Sequence, residues 1–259
     1  MMSNDKAKRI EKAMKKRGQL VVAYLLAGYP SRNGFLDALK QVTAAGADII
    51  EVGFPSRNPV NDGQVIREAH LQVDMSIQDD MAYWAQVRNA TDVPIWLMGY
   101  REDLVTIPRY RQLVSAGIAD ALVLPELSMD ESLRLHEEVG REGCEVLGFV
   151  NGQMSESQVR KVFSNHRLIY VQLYVGQTGA KAAQDNYKDN LRIAKDYPDV
   201  LIFAGFGIDS PERVNQLLRQ KFDGVILGTA VIRQQNQSEE SLQSFISGIR
   251  AAADKERTP

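Results

Sequence analysis

The sequence predicts a single α/β domain that folds as a closed (β/α)8 barrel of the TIM type, with an extra amino-terminal helix. Three observations support this prediction. The chain has 259 residues, a length that single-domain barrels of this class reach routinely. It contains eight short apolar runs, and longer stretches with the periodicity of amphipathic helices separate them. An open, doubly wound parallel sheet is the alternative that the same alternation allows.

The apolar runs are rich in Val, Ile and Leu and hardly interrupted by polar residues, which is typical of parallel strands buried on both faces. They are Leu20–Ala27, Asp48–Phe54, Pro94–Gly99, Ala121–Leu124, Glu145–Val150, Leu168–Tyr174, Val200–Ala204 and Gly224–Leu227. Helical patterns between them include Phe35–Ala45, Asp103–Ala116, Met129–Arg141, Glu156–Phe163 and Pro211–Arg219. Gly46, Gly117 and Gly143 follow helical stretches, where a left-handed C-cap residue belongs.

The two ends of the chain are predicted to differ in structure. Residues 1–17 are rich in Lys and Arg but place Ile10, Ala13 and Met14 on one side of a helix, which predicts a short helix that closes one end of the barrel. Residues 251–259 are expected to form a fraying tail. Nothing in the composition divides residues 1–259, so we expect one domain.

Composition excludes several classes of function. Lys and Arg total 31 and Asp and Glu total 33, so a net charge of −2 offers no electrostatic footprint for nucleic acid. No apolar run approaches the roughly 18 residues of a membrane span. A lone Cys144 excludes an intramolecular disulfide, and the scattered His70, His136 and His166 lack the spacing of metal ligands. We therefore expect a cytoplasmic protein without a metal site.

Glycines after the last three strands predict a phosphate site. In such a barrel the function lies at the carboxyl ends of the strands, and the last loops often bind phosphate. Glycines let backbone N–H groups approach an anion closely, and a helix beginning after Gly228 would add its positive end. Tight turns alone would explain any single one of these glycines. The candidate phosphate-binding residues are Thr178, Gly179, Gly207, Gly228 and Thr229.

Two carboxylates are the candidate catalytic groups. Glu51 lies near the carboxyl end of a predicted buried strand, where a carboxylate is costly unless it is paired, protonated or open to a cleft. A structural salt bridge is the alternative for Glu51. Asp62 follows in the next loop, although Asn61-Asp62-Gly63 is also ordinary turn chemistry.

Three tyrosines lie at or near the ends of strands. Tyr24, Tyr100 and Tyr170 could together line an apolar pocket for a flat substrate, with their hydroxyls hydrogen-bonded. Core packing is the simpler explanation for each of them alone.

An ordered series of segments resembles the tryptophan synthase alpha subunit family along nearly the whole chain. The matching segments are Ala27–Pro30, Gly46–Gly53, Asn58–Gly63, Leu97–Tyr100, Thr178–Ala180, Ala204–Ile208 and Asp223–Ala230. The resemblance implies a cofactor-free, retro-aldol lyase that cleaves indole-3-glycerol phosphate into indole and glyceraldehyde 3-phosphate. It assigns the acid–base role to Glu51 and the hydrogen bond to the indole N–H to Asp62. The three tyrosines match its pocket positions, and the glycines after the last strands match its phosphate site.

The sequence departs from the family in several loops. Arg57 and Asn58 replace the usual Ser-Asp after the second strand, Arg101-Glu102-Asp103 replace Tyr-Asn-Pro after the third, and Glu126 replaces Asp after the fourth. These changes put in question the beta-subunit partner that the family implies, because a reversed charge in an interface can exclude a partner. The alternatives to the lyase are a paralogue that cleaves another phosphorylated substrate and a non-catalytic ligand-binding protein.

Overall fold

The strands form one parallel sheet that curls into a nearly closed barrel. The computed structural model describes residues 9–174 and 187–255, in which the strands are β1 Leu20–Leu26, β2 Ile49–Gly53, β3 Ile95–Met98, β4 Ala121–Val123, β5 Glu145–Val146, β6 Gly148–Asn151, β7 Leu168–Gln172, β8 Leu201–Gly205 and β9 Gly224–Leu227. Hydrogen-bonded neighbours follow the order β5-β4-β3-β2-β1-β9-β8-β7-β6. Only Leu147 separates β5 from β6, so the two ends of the sheet meet within one chain segment. The predicted barrel is confirmed, and the open sheet is wrong.

Helices pack around the barrel, and serine side chains begin several of them. They are α1 (residues 9–14), α2 Arg32–Ala44, α3 Gln64–His70, α4 Met81–Asn89, α5 Arg109–Ser115, α6 Met129–Gly140, α7 Glu156–Phe163, α8 Lys188–Ala194, α9 Pro211–Arg219, α10 Thr229–Gln235 and α11 Glu239–Asp254. Ser128 and Ser155 form capping boxes at α6 and α7, which satisfy backbone N–H groups that have no partner within the helix. None of the helices in the described ranges is long and apolar enough to cross a bilayer.

Three predictions at helix ends need correction. The amino-terminal helix predicted over residues 1–17 ends at residue 14, and turns follow it; residues 1–8 lie outside the described ranges. The helix predicted over 103–116 begins only at Arg109, because Pro108 lacks an N–H and favours an extended conformation at Ile107; a separate π-helical turn spans Arg101–Thr106. The tail predicted over 251–259 begins too early, since α11 continues to Asp254 and buries Ala252 and Ala253. Residues 256–259 lie outside the described ranges.

The interior of the barrel is filled by its own cluster of side chains, here called the inner cluster. Trp96 and Phe203 meet edge-to-face across it, with ring centroids 4.8 Å apart. Ala13 of α1 is buried against this cluster at the amino-terminal end of the barrel. Further members are Leu20, Val22, Ile49, Met98, Leu168 and Tyr170.

Three buried aspartates, here called the basal carboxylates, lie directly before strands at the amino-terminal end of the barrel. They are Asp48, Asp120 and Asp223, and each accepts a backbone N–H from the preceding strand of the sheet. Each also pairs with a basic residue from the amino-terminal segment, namely Lys16, Arg9 and Arg17 respectively. The segment is thus attached to three different points of the barrel base.

Candidate active site

Glu51 projects into the barrel at the end opposite the basal carboxylates. Residues two apart on a strand face the same side, and Ile49 belongs to the inner cluster, so Glu51 also faces inward, nearer the carboxyl end of β2. Its side chain is buried, with 5% of the residue exposed. Burial, and then the negative charge of Asp62, raise the pKa of Glu51 to about 8. The carboxyl group is therefore protonated at neutral pH and can donate a proton.

Asp62 is buried in the same end of the barrel and is held from two sides. The Tyr100 hydroxyl donates a hydrogen bond to Asp62 Oδ2 over 2.6 Å. His70 Nε2 lies 3.7 Å from the same oxygen. Burial, together with the charge of Asp62, raises the pKa of Tyr100, so this phenol keeps its proton and remains a donor.

Tyr24 and Tyr170 form walls of the site, and each ring lies over a glycine. A Cβ at Gly53 would lie 2.3 Å from the Tyr24 hydroxyl oxygen, and one at Gly205 would lie 2.1 Å from the Tyr170 ring. Tyr170 also stacks on Phe149, with ring centroids 5.1 Å apart. Burial is the main cause of the raised pKa of both Tyr24 and Tyr170, and the charge of Glu51 adds to it.

Gly205→Ala is expected to displace Tyr170, because the new methyl group would overlap its ring. Overpacking of this kind costs about 1–3 kcal/mol of unfolding free energy. Urea unfolding measures the change. Gly140→Ala at the end of α6 is the control: a Cβ there meets nothing within 4 Å among the described residues, so it should be neutral or slightly stabilising. If Gly205→Ala unfolds at the wild-type urea concentration, the Tyr170 ring does not depend on Gly205.

The structure describes part of the predicted phosphate site. Phe206 and Gly207 follow β8 with φ angles of 71° and 68°, the left-handed conformation that glycine adopts readily. Gly228 caps α10 and Thr229 begins it. The Thr229 hydroxyl is buried and has no hydrogen-bond partner in the part of the chain that is described, which leaves it available to a ligand. Thr178 and Gly179 lie outside the described residues.

The structure also brings in residues that the sequence patterns did not select. His70 occupies the buried face of α3 with Ile66 and Ala69, and Phe206 packs between Tyr170 and Tyr174. The sequence did offer one signal for His70: the histidine stands at a helical position where the spacing calls for an apolar residue. Within residues 9–174 and 187–255, no group of three or more His, Cys, Asp or Glu side chains is arranged to hold a metal ion.

A parallel β/α barrel that buries an acid at the carboxyl end of a strand has the architecture of a barrel enzyme. The chain matches the family model described as tryptophan synthase alpha chain over residues 10–257, and it belongs to that family. The tryptophan synthase alpha chain of Synechococcus elongatus is 29% identical over 253 residues, covering 94% of this chain and 95% of the relative. That of Shouchella clausii is 29% identical over 259 residues, covering 96% and 95%.

Solved structures show the same fold. A structure of Mycobacterium tuberculosis tryptophan synthase superposes with a TM-score of 0.82 at 22% identity, covering 95% of this chain and 98% of the other. The tryptophan synthase subunit alpha of Legionella pneumophila gives 0.78 at 24% identity, covering 95% and 98%. The predicted family is confirmed, the chain is a lyase of the tryptophan synthase alpha type, and the comparisons do not favour a binding protein.

Proposed function

We propose that this chain cleaves indole-3-glycerol phosphate to indole and glyceraldehyde 3-phosphate, with Glu51 and Asp62 as its catalytic residues. The observation that carries the assignment is the contrast between these two carboxyl groups. Burial keeps Glu51 protonated at neutral pH, while Asp62 accepts a hydrogen bond from Tyr100. Such a contrast gives two like side chains the separate roles of acid and charge stabiliser.

The chemistry needs both roles. Breaking the bond between indole C3 and the glycerol carbon requires a proton at C3, and the adjacent hydroxyl must lose its proton as the aldehyde forms. Glu51 delivers the first proton and, once ionised, accepts the second. Asp62 accepts a hydrogen bond from the indole N–H and stabilises the positive charge that develops on the ring. The electrons of the broken bond return to the ring when C3 loses the aldehyde, so no redox partner is needed.

The remaining predicted residues define the substrate's position. Tyr24, Tyr100 and Tyr170 enclose the indole, while Gly207, Gly228 and Thr229 bind the phosphate. Among the described residues, the Thr229 hydroxyl has no hydrogen-bond partner and a Cβ at Gly228 would meet nothing within 4 Å, which supports this placement. Thr178 and Gly179 stay predictions of the same kind.

Partnership with a beta subunit is a separate proposal. Arg57 and Asn58 are exposed and available to a partner. Glu126 has a partner within the chain, because its carboxylate accepts the Arg101 backbone N–H over 2.9 Å. A cytoplasmic location and a single domain over 1–259 also stay predictions.

The test is release of indole from indole-3-glycerol phosphate by the purified protein, alone and with a beta subunit from the same source. Release that the beta subunit accelerates supports both proposals, and release that it does not change supports a stand-alone lyase. Absence of release under both conditions would contradict the proposed reaction.

A further inference from the structure

We propose that His70 is a positioning residue for Asp62, donating a hydrogen bond from its Nε2–H to that carboxylate when the indole is bound. The inference rests on the proposed function, because it assigns His70 a task through the residue that contacts the indole N–H. His70 ends α3 and is only 4% exposed. An apolar side chain would fill this position without the cost of burying a polar ring.

A backbone hydrogen bond fixes the protonation of the ring. The Ser56 N–H donates to His70 Nδ1 over 3.0 Å, so Nδ1 carries no hydrogen and the proton of the neutral ring is on Nε2. Burial lowers the pKa of His70 to about 4. The imidazole is therefore neutral near pH 7, and its orientation is set by the loop after β2.

The Nε2–H points towards the site without a complete hydrogen bond. Nε2 is buried and has no partner at hydrogen-bonding distance within the described chain, while Asp62 Oδ2 lies 3.7 Å away. An unsatisfied buried N–H costs free energy, and a shift of about 1 Å would complete the bond. Substrate that pulls on Asp62 can supply this shift.

Neutrality of the donors explains why a histidine and a tyrosine surround this carboxylate. Tyr100 and His70 both approach Oδ2, and neither carries a positive charge. A cation in either place would offset the negative charge that Asp62 offers to the developing indole cation. Neutral donors hold the carboxylate in place and leave that charge available.

The first test is NMR of protein labelled with ¹⁵N-histidine, which is simple because the chain has three histidines. His166 is the internal control: it is also buried, but its Nδ1 lies 3.0 Å from the Val146 carbonyl oxygen and must donate to it. We expect the proton on Nε2 of His70 and on Nδ1 of His166. Added indole should move the Nε2–H signal of His70 in the wild type but not in Asp62→Asn, and should leave His166 unchanged in both. A proton on Nδ1 of His70, or an unmoved signal, overturns the proposal.

The second test is kinetic. His70→Leu should lower kcat for indole release by about tenfold to a hundredfold, because misplacing a catalytic group by about 1 Å can cost that much. His70→Gln, which keeps a donor at similar reach, should recover most of the loss. In an Asp62→Asn background His70→Leu should cost less than about twofold, since coupled residues are not additive.

The control for burial is His166→Leu, which removes an equally buried ring away from the site and should leave kcat unchanged. Equal kcat losses in the two Leu variants, no recovery with Gln, or losses that multiply with Asp62→Asn would each contradict the proposal. If wild-type protein releases no indole, the proposed function fails, yet the NMR test still decides whether His70 donates to Asp62. The two failures are therefore distinguishable.

Discussion

Glu51→Gln is expected to abolish most of the turnover and, at the same time, to stabilise the fold. Glutamine fills the same space but cannot exchange a proton, and loss of a general acid–base lowers kcat by about 10²- to 10⁴-fold. The gain in stability has an electrostatic origin. In the unfolded chain the carboxyl group ionises near pH 4.5, whereas in the folded chain it stays protonated to about pH 8.

The sign of the pH dependence follows from proton counting. Between about pH 4.5 and 8 the folded state binds more protons at Glu51, so the wild-type unfolding free energy falls as the pH rises through this window. The accumulated cost is on the order of 3–5 kcal/mol. Glutamine does not titrate, so the advantage of the variant should be small at pH 4.5 and largest at pH 8.

Urea unfolding at pH 5 and pH 8 measures the unfolding free energy. The pH profile of kcat/KM reports the pKa of the proton donor. For the wild type, kcat/KM should fall above about pH 8, where Glu51 loses the proton that it must deliver. Glu137→Gln, on an exposed side chain of α6, is the control and should change neither quantity. A Glu51→Gln variant with normal turnover would exclude Glu51 as the acid.

Asp120→Ala is expected to cause the largest loss of stability, about 3–5 kcal/mol of unfolding free energy. Asp120 is fully buried, accepts the Ile95 N–H over 2.8 Å, and pairs with Arg9 at 2.7 Å and Arg88 at 3.0 Å. Burial raises the pKa of Asp120 despite these partners. The ion pairs with Arg9 and Arg88 therefore add little net stability to the fold. Removing one partner is costly because it leaves Arg88, with 13% of its side chain exposed, without its carboxylate.

Urea unfolding with an unchanged m-value tests this prediction. The control is Glu137→Ala, which breaks the Glu137–Arg141 pair, in which both side chains are 77% exposed; a change below about 0.5 kcal/mol is expected. The double variant Arg88→Ala, Asp120→Ala should recover part of the loss. A loss below about 1 kcal/mol in Asp120→Ala would show that the buried arginine finds water or another acceptor.

The fold was predictable because its signal is local. Seven of the eight apolar runs match one strand each to within two residues at either end, and Glu145–Val150 covers β5 and most of β6. Glu156–Phe163 and Pro211–Arg219 form the predicted helices to the residue. Local patterns also selected Glu51 and Asp62 as candidates, because strand ends gather at one end of a barrel, and both residues are buried. The division between the π-helical turn and α5 was missed although Pro108 marks it in the sequence, because the helical periodicity continues across that proline.

Contacts between distant parts of the chain were beyond a local pattern. Arg9 and Asp120 form a hydrogen bond across a separation of 111 residues, and neither residue type indicates which partner it has. The partner of Tyr100 could not be predicted for the same reason. The sequence suggested a pocket wall with a hydrogen-bonded hydroxyl, and folding makes that hydroxyl a donor to Asp62, 38 residues away.

Residues 145–151 give the barrel a junction unlike the one between β1 and β9. β1 and β9 join along a paired ladder from Leu20–Gly224 to Ala23–Leu227, whereas β5 and β6 are joined within the described chain by the covalent backbone of Leu147. The hydrogen-bonded strands form one sheet from β5 to β6, and these two edge strands are consecutive in the chain. Within the described chain this one backbone segment carries the ladder to β4 and the ladder to β7, and the Leu147 N–H donates to the Leu122 carbonyl oxygen over 3.0 Å. A nick in the segment would therefore separate two ladders, while one at the tip of a surface loop would separate none.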